Sequence, residues 1–163
     1  MAAGKSSVAQ ALAERLPRSV HVRGDVFRRM IVSGRADMAP DAGEEATAQL
    51  WLRYRLVAQV ALTYHAAGFT PVVQDVVLGP DVGEVAALYS AVPLRLVVLC
   101  PSVEVIAARE ASRHKRGYGV YTPDDLDRVL REETPRLGLW LDSSALTVAE
   151  TVLAILRHFG DSE

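Results

Sequence analysis

Apolar positions along the chain switch between two spacings. In SSVAQALAERL, Val8, Leu12 and Leu16 recur at helical intervals, which predicts a helix over 6–16 that Pro17 stops. The run SVHVR at 19–23 predicts a short strand. Helical spacing resumes over 26–33, the stretch from Gly34 to Gly43 reads as loop, and a long helix is expected over 44–67, ended by Gly68. The β-branched run TPVVQDVV at 70–77 predicts a buried strand, and LRLVVLC at 94–100 is the clearest one, with a helix over 81–91 between them. Pro101-Ser102 opens a helix expected to reach about 113, followed by a loop at 118–122 and an acidic helix over 123–133. A last strand, GLWLD at 138–142, leads into a helix over 147–159.

Strands that alternate with helices imply an α/β fold, a three-layer sandwich with a parallel sheet and helices on both faces. In such a sheet the ligand site lies beyond the carboxyl ends of the strands. No repeat or Gly/Ser linker divides the 163 residues, so 1–163 is read as a single domain. Half of the residues are apolar, enough for a core, and the net charge of −2 lacks the basic footprint of a nucleic-acid partner. The longest apolar stretches are strand-sized and the first residues hold no signal-peptide core, so a cytoplasmic protein with no membrane partner is expected, as monomer or homodimer. The single cysteine, Cys100, has no internal disulfide partner and reads as a small core residue. Sixteen arginines stand against two lysines, Lys5 and Lys115, which draws attention to where each lysine sits.

Lys5 sits in Ala2-Ala3-Gly4-Lys5-Ser6-Ser7, immediately before the first expected helix. This matches the end of the phosphate-binding pattern G-x-x-x-x-G-K-[ST], whose backbone amides and helix N-terminus cradle phosphate oxygens while the lysine reaches the β and γ phosphates and the hydroxyl binds Mg²⁺. The bland alternative is a lysine at an ordinary helix start. The first glycine of the pattern would fall five residues before Gly4, ahead of Met1. The expectation is therefore of an upstream strand ending in that glycine, the first strand of the sheet, missing from this sequence.

Three further clusters carry candidate chemistry. In Val22-Arg23-Gly24-Asp25-Val26-Phe27-Arg28-Arg29, Asp25 stands at a strand-to-helix junction, where it faces the γ phosphate as a base or simply caps the helix. Gln74-Asp75 closes an apolar strand; Asp75 either serves Mg²⁺ or a substrate hydroxyl, or caps the turn at Leu78-Gly79-Pro80. In the stretch from Arg109 to Gly119, Arg109 and Arg113 share a helix face and could clamp a transferring phosphoryl group as part of a lid around 109–122. Its alternative is a solvated surface paired with the acidic run Asp124-Asp125-Leu126-Asp127. The histidines His21, His65, His114 and His158 lack metal-ligand spacing, and no C-x-x-C or G-x-S-x-G is present, so zinc chemistry and triad hydrolysis are poor readings.

Taken in order, AAGKSS, RGDVFRR, VVQDVVLG, VEVIAAREASRHKRG and LDSSALTVAETV resemble the small P-loop kinases, most closely the chloramphenicol phosphotransferase-like group, over nearly the whole chain. The resemblance implies a P-loop kinase fold and transfer of the γ phosphoryl of ATP, with Mg²⁺, to a hydroxyl of a small molecule. It implies that Ala3, Gly4, Lys5, Ser6 and Ser7 hold phosphate, that Ser6 and Asp75 hold the metal, and that Asp25 is the catalytic base assisted by Lys5 and Arg113. It further implies that Arg109 and Arg113 belong to the lid, that Ser143 and Ser144 lie near the adenine, and that Asp25, Arg28, Arg29 and Asp75 face the acceptor. The chain departs from that group at the absent first glycine and at Gln74, where a second acidic residue is common. Antibiotic, sugar and nucleoside acceptors stay open, as do a nucleotide or nucleoside kinase, with Arg28 and Arg29 on a substrate phosphate, and a nucleotide-binding regulatory module with little or no transfer.

Overall fold

Prolines and short polar caps set the element boundaries in the computed structural model, which describes residues 2–111 and 121–160. Helix α1, Lys5–Arg15, stops where Leu16 turns extended ahead of Pro17, whose ring disfavours helical geometry in the residue before it. Strand β1 is Ser19–Arg23, and α2, Gly24–Arg29, follows it directly. The long α3, Glu44–Ala66, leads to β2, Thr70–Gln74, and α4, Asp81–Ala87. Then come β3, Val97–Leu99, α5, Val103–Ala111, and α6, Pro123–Arg128. Strand β4, Leu139–Leu141, and α7, Val148–Phe159, complete the described fold. Both α6 and α7 open with reciprocal caps, Thr122 with Asp125 and Thr147 with Glu150, each satisfying two amides that the helix start leaves unpaired.

All strand pairing among the described residues is parallel, as the alternation predicts. β1 pairs β2 from Ser19 opposite Thr70 to Arg23 opposite Gln74, and β3 pairs β4 from Val97 opposite Leu139 to Leu99 opposite Leu141. Alternate residues of a strand face opposite sides, which divides the core. Val22 and Val73 pack with Val57, Ala58 and Ala61 of α3 and with Tyr89, while Val97, Leu99, Leu139 and Leu141 pack with Val8 of α1 and with Val152 and Ile155 of α7. Helices thus cover both faces, and α1 lies against both ladders. Fully burying a valine such as Val57 or Val152 contributes about 1.5–3 kcal/mol, and the partly buried strand residues contribute less.

Four expectations need correction. The strands expected over 70–77 and 94–100 pair only over 70–74 and 97–99, and their residues are half-buried rather than buried. Each strand is paired along one edge only, no described strand joins β2 to β3, and the three residues of β4 limit how far β3 can extend. The helix expected over 26–33 ends at Arg29. Two of its next three apolar side chains face solvent, Met30 68% and Val32 98% exposed. The acidic helix over 123–133 is α-helical only to Arg128 and then widens to a π turn, Val129–Glu133. There the Thr134 hydroxyl donates to the Val129 carbonyl at 2.9 Å and accepts from the Gly79 amide at 2.8 Å, fixing the wider turn. Among the described residues no helix is long and apolar enough to cross a membrane.

Candidate functional site

The start of α1 is held from two sides. Ala2 packs against Ile106 and Leu126, and the chain turns through Gly4, at φ 85°, into the first helical bond from Val8 to Gly4 at 3.0 Å. The opening amides of a helix point outward with partial positive charge, which suits phosphate. Ser6 Oγ donates to Gln74 Oε1 at 3.0 Å and so ties this helix start to the end of β2. Ser7 is exposed beside it. One turn further on, Gln10 Oε1 meets His21 Nδ1 at 2.9 Å, so α1 presents a polar side to the β1–β2 ladder. Burial and then Arg23 hold His21 below its ordinary value, which keeps the ring neutral in this contact.

The register that sets Arg23 opposite Gln74 brings the carboxyl ends of β1 and β2 together. Gly24 is buried there, and a Cβ on it would run into the Asp75 carboxylate. Asp75 forms an ion pair with Arg53 Nη2 of α3 at 3.0 Å, the two side chains being 9% and 15% exposed. Its Oδ1 also accepts from the Val76 amide at 2.7 Å. Burial pushes Asp75 above the usual carboxylate value, while Arg53, the Val76 amide and Lys5 oppose that shift. Lys5 therefore acts electrostatically on Asp75 from the start of α1.

Asp25 is presented differently. Its side chain is 44% exposed and sits between Arg29 Nη2 at 3.0 Å and Arg23 Nε at 3.4 Å. Arg23, not Asp25, occupies the cap position of α2, and no side chain caps that helix, so the capping alternative is not realised. Arg28 points elsewhere, pairing with Asp37 of the following loop at 2.9 Å. Of the residues expected together, Lys5, Ser6, Asp25, Arg29, Gln74 and Asp75 converge on this end of the β1–β2 ladder, and Arg28 does not join them.

Beyond β4, Asp142 Oδ1 accepts from the Ser144 amide at 2.9 Å and from its hydroxyl at 2.5 Å, while Ser144 Oγ accepts from the Ser102 amide at 2.7 Å. Arg109 Nη2 donates to the Ser143 carbonyl at 3.2 Å, fastening α5 to this turn. Ser143 is 3% exposed, and its hydroxyl has no partner among the described residues. Arg113 and residues 112–120 of the lid expected around 109–122 lie outside the described residues.

As a metal site, this end of the molecule offers one well-suited group. Ser6 gives its proton to Gln74, which leaves its lone pairs for a cation. Among the described residues no group of three or more His, Cys, Asp or Glu side chains is gathered to hold an ion, and Asp75 is engaged by Arg53. Sequence reasoning missed Arg53 altogether. Its signal was present: Arg53 falls four residues before Val57 on the stripe that continues to Ala61 and faces the core, a position where an arginine demands a buried partner.

Residues 1–132 match the family model described as AAA domain. No curated protein matches the chain. Among solved structures, the chain is similar to an unliganded sugar kinase from Janibacter sp. HTCC2649, with 16% identity, TM-score 0.70, and coverage of 99% of this chain and 90% of the other. It is also similar to the tunicamycin resistance protein of Deinococcus radiodurans, with 18% identity, TM-score 0.66, and coverage of 97% and 90%. At these identities the likeness speaks to fold, and the fold is that of the P-loop kinases.

Proposed function

Because this chain belongs to the AAA domain family and gathers a lysine, a hydroxyl and an exposed carboxylate at the carboxyl end of one parallel ladder, we propose that it is an ATP-dependent kinase. It moves the γ phosphoryl group to a hydroxyl of a small molecule, in the manner of the chloramphenicol phosphotransferase-like group. The observation that carries this reading is Asp25, half-exposed and steadied by Arg23 and Arg29, next to a Gly24 that packs on Asp75.

In this reading the amides at the start of α1 and the Lys5 ammonium bind the β and γ phosphates, and Ser6 would hold Mg²⁺, which supplies charge neutralisation at the phosphates when bound. Asp25 accepts the proton of the acceptor hydroxyl as its oxygen attacks phosphorus. Arg29 and Arg23 hold that carboxylate in place, and Arg109 anchors the base of a lid that carries Arg113. The half-neutralised arginines bear on the acceptor. Arg29 is paired with Asp25 and Arg28 with Asp37, which favours an uncharged hydroxylated acceptor over a nucleoside monophosphate.

Asp25→Asn tests the assignment, with ATP consumption followed against hydroxylated antibiotics, sugars and nucleosides. General-base assistance is worth about 10² to 10⁴ in rate, so kcat should fall on that scale with ATP affinity unchanged. Transfer retained within a few-fold would remove Asp25 from the chemistry. A parent protein that binds ATP but transfers to none of these acceptors would favour the regulatory module.

A further inference from the structure

Adjacent residues at the end of a strand point to opposite faces, and at Gln74-Asp75 this alternation links two helices. Gln74 reaches α1, where it accepts from Ser6 Oγ at 3.0 Å. Asp75 reaches α3, where Arg53 holds it at 3.0 Å in a pair that is nearly closed to solvent. Gly24 closes the third side, since the Asp75 carboxylate lies where a side chain on that residue would begin. The peptide between Gln74 and Asp75 is thus clamped by α3 on one face and serves the phosphate loop on the other.

We propose that Arg53 is a positioning residue for the nucleotide: by holding Asp75 against Gly24 it fixes the neighbouring Gln74, and through Gln74 it sets the direction in which the Ser6 hydroxyl presents its lone pairs. This rests on the nucleotide-binding reading above and extends it to a residue on α3. Arg53 itself touches neither phosphate nor metal in this arrangement. A group that orients a metal-binding side chain from behind is typically worth about 10- to 100-fold in metal affinity. The influence of Arg53 should therefore appear in Mg²⁺-dependent binding and not in the affinity for ATP alone. Arg53 also lies over the Tyr54 ring, its Cζ 5.2 Å from the centroid, so a lysine ammonium can replace the charge of the pair but not the stacked guanidinium plane.

The test is calorimetric titration of ATP, with and without Mg²⁺, on the parent, Arg53→Met, Arg53→Lys, Gln74→Ala and the Arg53→Met/Gln74→Ala pair, each with a thermal melt. Arg53→Met should weaken Mg²⁺–ATP binding about 10-fold and metal-free ATP binding hardly at all. Arg53→Lys, which keeps the charge facing Asp75, should recover part of the loss. Gln74→Ala should reproduce it, and combining the two should add little, as for residues acting along one line. Since Arg53→Met strands a buried carboxylate, the Arg53→Met/Asp75→Asn protein provides a folded version in which the same Mg²⁺-specific loss should persist. A normally melting Arg53→Met/Asp75→Asn protein that binds Mg²⁺–ATP like the parent would overturn the proposal while leaving the nucleotide reading intact. A folded parent that binds no ATP at all would overturn both.

Discussion

At its carboxyl end the β1–β2 ladder runs into Arg23, Gly24, Asp25, Gln74 and Asp75, whereas the β3–β4 ladder runs into Cys100, Pro101, Asp142, Ser143 and Ser144. The first packs Val22 and Val73 on α3 on one face and carries polar pairs besides, Ser6 with Gln74 and Arg53 with Asp75 largely out of solvent and Gln10 with His21 at the surface. The second is backed by Val8, Val152 and Ile155 and by the aliphatic residues of both its strands. A single helix serves both. Ser6 and Gln10 of α1 turn toward the charged ladder, and Val8 and Leu12, at the same four-residue spacing, turn toward the apolar one. The difference shows a division of labour. Apolar packing on β3–β4 anchors α1, and the anchored helix can then carry polar contacts on its other side.

The largest expected effect tests whether the charged ladder really owns the phosphate end. Lys5→Ala removes the cation at the start of α1, and losing one such electrostatic contact to a reacting group costs about 10² to 10³ in kcat. The melting temperature should move by only a few degrees, since the apolar side of α1 is untouched. ATP consumed and bound by Lys5→Ala as by the parent would break the comparison at its root.

Two glycines offer a matched probe of the two ladders. At Gly24 a new Cβ meets the Asp75 carboxylate, and at Gly138, with φ 71°, it meets the Leu96 backbone beside the start of β4. Both alanine variants should lose about 1–3 kcal/mol by urea denaturation, the usual cost of forcing an atom into filled space. They should part in function. Gly24→Ala pushes Asp75 off Arg53 and should reduce kcat by about 10-fold or more, the scale on which displaced supporting contacts act. Gly138→Ala should leave kcat per folded molecule within about two-fold, because its strain stays among residues that only pack. Equal losses of activity in the two would mean that the ladders are not functionally distinct.

The residues that converge at the charged ladder were largely legible in the sequence, for a topological reason. Parallel strands deliver their carboxyl ends to one side, so Lys5, Asp25 and Asp75 come together once the alternation of strands and helices is recognised. The helices α6 and α7 were legible too, though their caps, local within three residues, were not read in advance. What else escaped depends on neighbours distant in sequence. Arg53 finds Asp75 twenty-two residues further along the chain, and Arg28 turns to Asp37 in a loop whose path no periodicity dictates. The burial of the strands was overread because a run such as LRLVVLC reveals its apolarity but not how many of its edges are paired.

The smallest expected effect concerns the alkaline side of the charged ladder. Tyr54, buried on α3, donates its hydroxyl to the Val76 carbonyl at 2.9 Å, just past Asp75. Burial, reinforced by Asp75, pushes its pKa from an ordinary 10.0 up to about 12. The same two causes push Tyr89, in the same core, up to about 12. A pKa raised on folding means that the folded state keeps its proton when the unfolded chain has lost it. The stability tied to these hydroxyls is therefore complete below about pH 10 and is lost as pH rises toward 12. Tyr54→Phe removes one hydrogen bond, about 0.5–1.5 kcal/mol at neutral pH, and also one of the two titrating groups. In urea denaturation at a series of pH values, the gap between parent and Tyr54→Phe should be widest near pH 7 and should narrow through pH 10 to 11.5, with a shallower alkaline fall in the variant. A gap that held constant or widened would show that the Tyr54 hydroxyl does not titrate against the fold, and that the alkaline sensitivity of this ladder rests on Tyr89 alone.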